Sequence, residues 1–484
     1  VIPCGWPRRK KSRPPSPAGG GTTNTRARRI DRQVVNANDR AITALVMLAH
    51  GAVHTYELAI PIFVVAWIDQ FEVITLGVTQ LPVNTATVGA IVTVSYGLFG
   101  LGALPGGVLV DRLGSRRLIS ACLAGMGLSY LLLGLAPNML VIGLALVVWG
   151  VAASVYHPAG LSLISKGVRE RGTGLAYHGI AGNLGIGLGP LAAALLLVAV
   201  DWRTVALVLG APALLGAMYA ARADFDETAA VEPVADGGET DDGTGDSKAN
   251  AGVDSLGEFL AESRRLFAGV FVLVFVVVMC SGLYYRGVLT FLPELLRGLP
   301  GFEPVPVGSL LPEPVRSLLG VSAEGSRTLS PGDYFYSGLL LMGVVGQYAG
   351  GKLSDRAPVE YGLSGAFAVL AVLAVLFVPV SRAGLGPLLL FGPVLGVFLF
   401  VVQPMYQATV AEYTPAGTRG LSYGFTYLGV FGVGALGGGV AGALLAFADP
   451  TALFLTLAGF ATAGSLVGLT LARLRGRART DPAA

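Results

Sequence analysis

The chain has 484 residues, 53% of them apolar and only 13% charged, with 69 glycines and a formal net charge of +3. Soluble domains carry roughly 25% charged residues, so this composition excludes an ordinary soluble protein. It points instead to helices that pack closely in lipid through small side chains.

The charge is unevenly placed, because residues 1–40 hold ten Arg/Lys against two Asp. Their Pro- and Gly-rich "PRRKKSRPPSPAGGG" predicts a disordered arm over residues 1–41. A targeting arm or an anionic-lipid tether are the alternatives. The chain opens on Val1, as a fragment or a displaced start would, and no apolar run directly follows the arginines. A cleaved signal peptide is therefore not expected. Cys4, Cys122 and Cys280 lie far apart and predict neither a metal spacing nor a disulfide framework.

A membrane span needs roughly 20 mostly apolar residues. Six candidates fall near 42–68, 84–110, 118–136, 139–166, 172–199 and 203–222. Six more fall near 265–293, 334–355, 362–381, 385–411, 419–447 and 451–473. Between the two sixes, Asp224 to Asp254 carries ten acidic residues and one lysine, so residues 223–264 read as an acidic, solvated linker. Residues 474–484 form a short tail. The predicted fold is thus an all-α membrane protein of two six-helix bundles, 42–222 and 265–473.

Short basic loops at 111–117, 165–172 and 351–356 and the tail at 472–479 share one side, while "APN", "DWR" and "ADP" mark the other. By the positive-inside rule both termini are cytoplasmic, in a multi-pass protein of the plasma membrane.

The halves repeat one another. Asp111 returns as Asp355, His157-Pro158 as Gln403-Pro404, and "GLAYHG" at Gly174 as "GLSYGF" at Gly420, offsets of 244, 246 and 246 residues. Related halves around a midplane site are a transporter architecture.

"GGVLVDRLGSRR" between spans 2 and 3 resembles the signature of the major facilitator superfamily, Gly-x-Leu-x-Asp-Arg-x-Gly-x-Arg-Arg, through Gly107, Leu109, Asp111, Arg112, Gly114, Arg116 and Arg117. Gly351, Leu353, Asp355 and Arg356 form a partial second copy, and the resemblance covers about residues 42 to 473. It implies twelve helices working by alternating access, with these charged residues as gates: an aspartate there can latch against the helix N-terminus of the other half. A topology anchor is the alternative role. Gly185, Gly189 and Pro190 are similar to the antiporter motif of drug/proton exchangers, with Ala193 and Ala194 where that motif has Gly-Gly; a small-residue packing seam is the other reading. Within the superfamily, Ser154 to Pro158, Gly182 to Pro190 and "LTFLP" at 289–293 are similar to the fosmidomycin-resistance type of efflux protein. His50 and His54 stand where that type has His-x-x-x-Asp, and Ala159 where its members often carry Glu.

All four histidines, His50, His54, His157 and His178, lie in the N-terminal half. His50, His54 and Glu57 follow i, i+4, i+7 spacing and share one face of span 1. Glu57 is the only acid well inside an apolar span, and Arg286 in span 7 the only comparable arginine, though it reads as nearer the outer face. Polar groups at this depth mark pathways. Glu57, with His54, His50 and His157, is therefore a candidate proton carrier, and a structural ion pair with Arg286 is the alternative. Arg286, His178, Asn183, Tyr284, Gln403, Tyr406, Gln407 and Tyr427 are candidates for the substrate cavity, as are Tyr156, Tyr177, Tyr285 and Tyr423. Pro158, Pro190 and Pro404 predict helix kinks, with the Ser154 hydroxyl or water satisfying the freed carbonyls.

No Gly-x-x-x-x-Gly-Lys-Ser/Thr loop occurs, which disfavours ATP-driven transport. His-x-x-x-His alone is a weak metal signal without a His-rich loop to deliver the ion, so no metal and no cofactor are expected. The expected protein is a monomeric secondary transporter, not an enzyme and without nucleic-acid partners. It would exchange a small amphipathic or anionic compound for protons across the bilayer. Proton- or sodium-coupled import of a sugar or organic anion is the alternative.

Overall fold

A computed structural model describes residues 36–231, 256–319, 322–323, 327–414 and 419–480. Most of the basic arm and the centre of the acidic linker, residues 1–35 and 232–255, lie outside the described residues.

The first half begins with α1 (Ala37–Gln70), so residues 37–41, expected in the arm, already belong to the first helix. A small hairpin follows, β1 (Val73–Leu76) paired antiparallel with β2 (Thr79–Pro82). Gly77 supplies the positive φ of 61° in its turn. Next come α2 (Thr85–Leu101) and α3 (Ala103–Leu113), bent by 46° at Gly102. A Cβ at Gly102 would run into Ser154, so glycine lets span 2 lie close against span 4. The half is completed by α4 (Ser115–Gly134), α5 (Met139–Ser154), α6 (Tyr156–Gly167), α7 (Arg171–Ala199) and α8 (Trp202–Arg222). Asn84, Asn138 and Asp201 cap α2, α5 and α8 through side-chain oxygens that accept from the first free amides.

The linker is not solvated throughout. Its described beginning packs on the first half, where Asn38 Nδ2 donates to the carbonyls of Gly167 and Asp226. Glu227 accepts from the amides of Ser115 (2.8 Å) and Arg116 (3.3 Å) at the start of α4. Charge-assisted bonds of this kind contribute about 1.5–3 kcal/mol when partly shielded. Glu227→Ala is therefore expected to lower stability by about 1–2 kcal/mol. Thermal unfolding in detergent would check this, and an unchanged midpoint would remove the contact from the stability account.

The linker ends in the amphipathic α9 (Leu256–Phe267), separate from α10 (Phe271–Leu289), so span 7 starts later than 265. Beyond α10 come α11 (Leu292–Arg297), β3 (Val305–Pro306), α12 (Val307–Leu310), α13 (Glu313–Leu319) and β4 (Thr328–Leu329), which pairs with β3. The remaining helices are α14 (Pro331–Arg356), α15 (Val359–Arg382), α16 (Leu385–Tyr413), α17 (Arg419–Tyr427), α18 (Leu436–Phe447) and α19 (Pro450–Thr480). A π-helical turn, Leu428–Val433, joins α17 to α18.

Among the described residues, ten spans are long and apolar enough to cross a membrane, and the bent α2–α3 pair makes eleven. The helix α14 stands where span 8 was expected but does not meet that test, since the glycines, tyrosines and Gln347 of its uncharged middle keep the hydropathy low. The chain is a multi-pass, predominantly helical membrane protein.

The three prolines expected to kink helices have different settings. The break in span 4 falls at Val155, and the Ser154 hydroxyl donates to Val151 O (2.7 Å) rather than to a carbonyl freed by Pro158. In span 10, α16 runs unbroken through Pro404. A flanking helix can hold such a residue without interruption of the spiral. Pro190 likewise sits inside a continuous α7.

Candidate functional site

Between the halves lies a cavity of ≈ 490 Å³. His50, His54 and Glu57 enter it from α1, His157 from α6, His178 and Asn183 from α7, and Gln403, Tyr406, Gln407 and Tyr427 from the second half. The structure brings these sequence candidates to one cavity and adds Gln347 of α14, Ser281, Thr426 and Phe431, which the sequence reading did not single out. An amide inside an otherwise apolar stretch was the available signal for Gln347.

Four cavity candidates are placed elsewhere. Tyr284 is buried and donates to Leu370 O (2.9 Å), packing α10 on α15. Arg286 does not reach the cavity, because it lies behind Glu57 with 2% of its surface exposed. Tyr156 donates to Val46 O (2.6 Å) and Tyr177 is exposed, so neither lines the cavity.

Arg286 and Glu57 meet directly: Nη2 of the guanidinium donates to Oε1 of the carboxylate. The expected difference in depth disappears, since α1 and α10 bring both groups to one level and the arginine stem spans the remainder. The Tyr96 ring lies 3.7 Å from the guanidinium carbon, and the Tyr96 hydroxyl donates to the Glu57 carbonyl (2.7 Å). The pair thus joins the halves inside a shell of aromatic rings. Arg286 Nε has no hydrogen-bond partner among the described residues.

From Glu57 a chain of contacts runs into the cavity. Its Oε2 accepts from His54 Nδ1 at 2.6 Å, and His54 Nε2 lies 3.1 Å from His50 Nε2. His50 Nδ1 donates to the His178 carbonyl (2.7 Å). The His50 ring stacks on His178 and lies nearly parallel to Tyr156, at centroid separations of 3.7 and 5.5 Å. Gly182 leaves room for it, since a Cβ there would meet the ring. His157 stands 5.4 Å from His50 and 5.6 Å from His54 between centroids, and stacks on Tyr427 of the other half (4.9 Å). Three helices, α1, α6 and α7, therefore gather four imidazoles beside one carboxylate, with His54 in direct contact with it. An amide chain closes the opposite wall: Asn183 Nδ2 donates to Gln347 Oε1 (2.8 Å), and Gln347 Nε2 to Gln403 Oε1 (3.0 Å).

The halves also meet beyond the cavity, toward the end carrying Gln70 and Thr85. Arg297 pairs with Asp69, with Nη2 to Oδ1 at 2.6 Å. Thr85 donates to Gly442 O (2.9 Å), Thr93 to Ala435 O (3.2 Å), Tyr334 to Ala194 O (3.4 Å) and Tyr336 to Leu58 O (3.3 Å). At the basic end, Asp111 pairs within its own half with Lys166 (3.0 Å), both side chains about half-exposed. Arg112, Arg117, Asp355 and Arg356 are exposed, and Arg116 Nη1 donates to Ala223 O (2.8 Å). The aspartate is thus not latched to the other half in this conformation.

Two helical halves, a central polar cavity and a seam of contacts across one end define a polytopic transporter. The chain belongs to the major facilitator superfamily, whose family model matches residues 42–426. Similar curated proteins include the puromycin resistance protein pur8 of Streptomyces alboniger, 36% identical over 127 residues, and the probable L-galactonate transporter of Escherichia coli (strain K12), 23% identical over 133 residues. The matches cover 26% and 27% of this chain, which spans only 25% and 29% of those relatives. Similar solved structures include the nucleoside transporter NupG, at TM-score 0.61 and 12% identity, over 90% of this chain and 99% of that one. A bacterial homologue of the human lysosomal transporter Spinster, in an inward-facing and occupied conformation, aligns at TM-score 0.59 and 15% identity, over 90% and 96% of the two chains. At these identities the structures establish the fold.

Proposed function

We propose that the protein is a proton-coupled exporter, exchanging a small amphipathic or anionic compound for protons by alternating access at the plasma membrane. The buried Glu57–Arg286 pair carries this reading, because it ties the two halves together at the head of the cavity and continues through His54 into the polar wall. A proton reaching Glu57 would neutralise the carboxylate and loosen its hold on Arg286, freeing a guanidinium for an anionic group. Reversal of that step on the other side would complete the cycle. The likeness to fosmidomycin-resistance efflux proteins, and the resistance role in the name of pur8, support export. By the positive-inside rule the end sealed by the seam would be the external one, an arrangement shared by an exporter loading substrate and an importer releasing it.

The amide array of Asn183, Gln347 and Gln403 favours a second reading, coupled import of a hydroxyl-rich or sugar-acid substrate. One experiment separates the two. Purified protein in liposomes holding a pH-sensitive dye, under an imposed proton gradient, is challenged with phosphonate antibiotics, aminonucleosides and sugar acids. Proton movement opposite to substrate flux is expected. Movement in the same direction would overturn antiport, and substrate flux without proton movement would overturn proton coupling.

A further inference from the structure

We infer that His50, His54 and His157 form a binding site for a divalent transition cation of the zinc, cobalt or nickel class, open toward the cavity. The inference goes beyond the transport scheme and rests on hydrogen-bond accounting and geometry.

A backbone carbonyl can only accept, so the contact with His178 O places the His50 proton on Nδ1. A carboxylate paired with Arg286 also accepts, so the contact with Glu57 places the His54 proton on Nδ1. In neutral imidazoles the two Nε2 atoms then carry lone pairs, yet they face one another at 3.1 Å. Two lone pairs at that separation repel unless a cation lies between them or beside both.

A proton answers for two nitrogens but gives no role to the third ring. One ligating nitrogen from each of His50, His54 and His157 lies within 4.8 Å of the others, and all three residues are buried. Two nitrogens bound to one tetrahedral zinc, each at about 2.0–2.1 Å, sit about 3.4 Å apart. The His50–His54 pair is thus already close to ligand spacing, and His157 needs to approach by at most about 1.4 Å.

The surroundings fit as well. Metal-bound histidines characteristically donate their other ring N–H to a carboxylate or a backbone carbonyl, as His54 does to Glu57 and His50 does to His178. Three imidazoles without thiolate suit zinc, cobalt, nickel or copper rather than magnesium or calcium. All three side chains line the cavity, which leaves the fourth position to water or to a donor atom of a cargo molecule.

The test uses the full chain, freed of any purification histidine tag and titrated with cobalt(II) chloride alone. One equivalent should bind with the intense ligand-field bands of a four-coordinate nitrogen site and without a thiolate charge-transfer band. His54→Ala and His157→Ala should each weaken binding by at least about tenfold, and Glu57→Gln, acting through His54, by about ten- to a hundredfold. Thermal unfolding of the unaltered protein, with and without zinc, guards against variants that fail to fold, because a ligand that binds only the native state raises the midpoint. Weak six-coordinate spectra, equal affinity in the variants, a thiolate band, or no midpoint shift would each overturn the site. Indifference to His157→Ala would reduce it to a proton-bound pair and overturn the three-ligand assignment. None of these measurements involves transport, so the site and the coupling scheme can fail independently.

Discussion

Glu57→Gln is expected to reduce substrate-dependent proton movement to the level of protein-free liposomes and to destabilise the protein. The carboxylate is 1% exposed and its partner Arg286 is 2% exposed, so neither charge is offset by water. Removing one member of such a pair leaves an uncompensated buried charge and costs about 3–5 kcal/mol. The Tyr96 ring lies over the guanidinium with or without the carboxylate, so that cation–π contact holds the arginine in place but does not offset the loss. Replacing both partners, Glu57→Gln with Arg286→Gln, should therefore be more stable than Glu57→Gln alone, yet equally inactive in coupled flux. The two readouts separate a structural ion pair from a coupling group. Coupled flux that recovers with stability in the double variant would assign the pair to structure alone and remove Glu57 from the mechanism.

The residues of this site were legible in the sequence because a membrane makes polar side chains conspicuous. Glu57 and its histidines recur at helical spacing on α1, and an acid in an apolar span needs a reason to be there. The internal repeat also identified Gln403 as the partner position of His157, and both line the cavity. The partners of these groups were not legible. Whether Arg286 meets Glu57 depends on the relative rise of α1 and α10, which no periodicity records. Tyr284 and Tyr285 are adjacent, yet one packs on α15 and the other lines the cavity, a matter of about 100° of helix rotation. The Arg297–Asp69 contact escaped notice because neither charge is unusual at a span end. The engagement of Asp226 and Glu227 with the first half escaped because a run of acids reads as solvated regardless of what its first residues touch.

The seam that closes one end of the molecule should control which side the cavity faces. Along it α2 meets the segment from the π-helical turn through α18 almost backbone to backbone. A Cβ at Gly100 would fall on the backbone of Gly432, and one at Gly442 on the carbonyl of Thr85. Unlike a flexible side chain, backbone cannot give way, so Gly442→Val, or Gly89→Val against the Gly438 carbonyl, must hold the halves apart at this end. Contacts across the seam, Thr85 to Gly442 and Thr93 to Ala435, would be lost with it. Rigid halves that part at one end approach at the other. Spin labels at Arg169 and Lys352, both exposed near the basic end, should therefore report shorter distances in these variants, with transport reduced as one conformation becomes disfavoured. Gly97→Ala makes the control, because a Cβ there meets nothing within 4 Å. If Gly442→Val kept both the distance distribution and the transport rate, close approach at this seam would be packing without consequence for access. If the distances shortened, the glycines of α2 and α18 would be the feature that lets this end seal while the histidine-lined cavity stays open at the other.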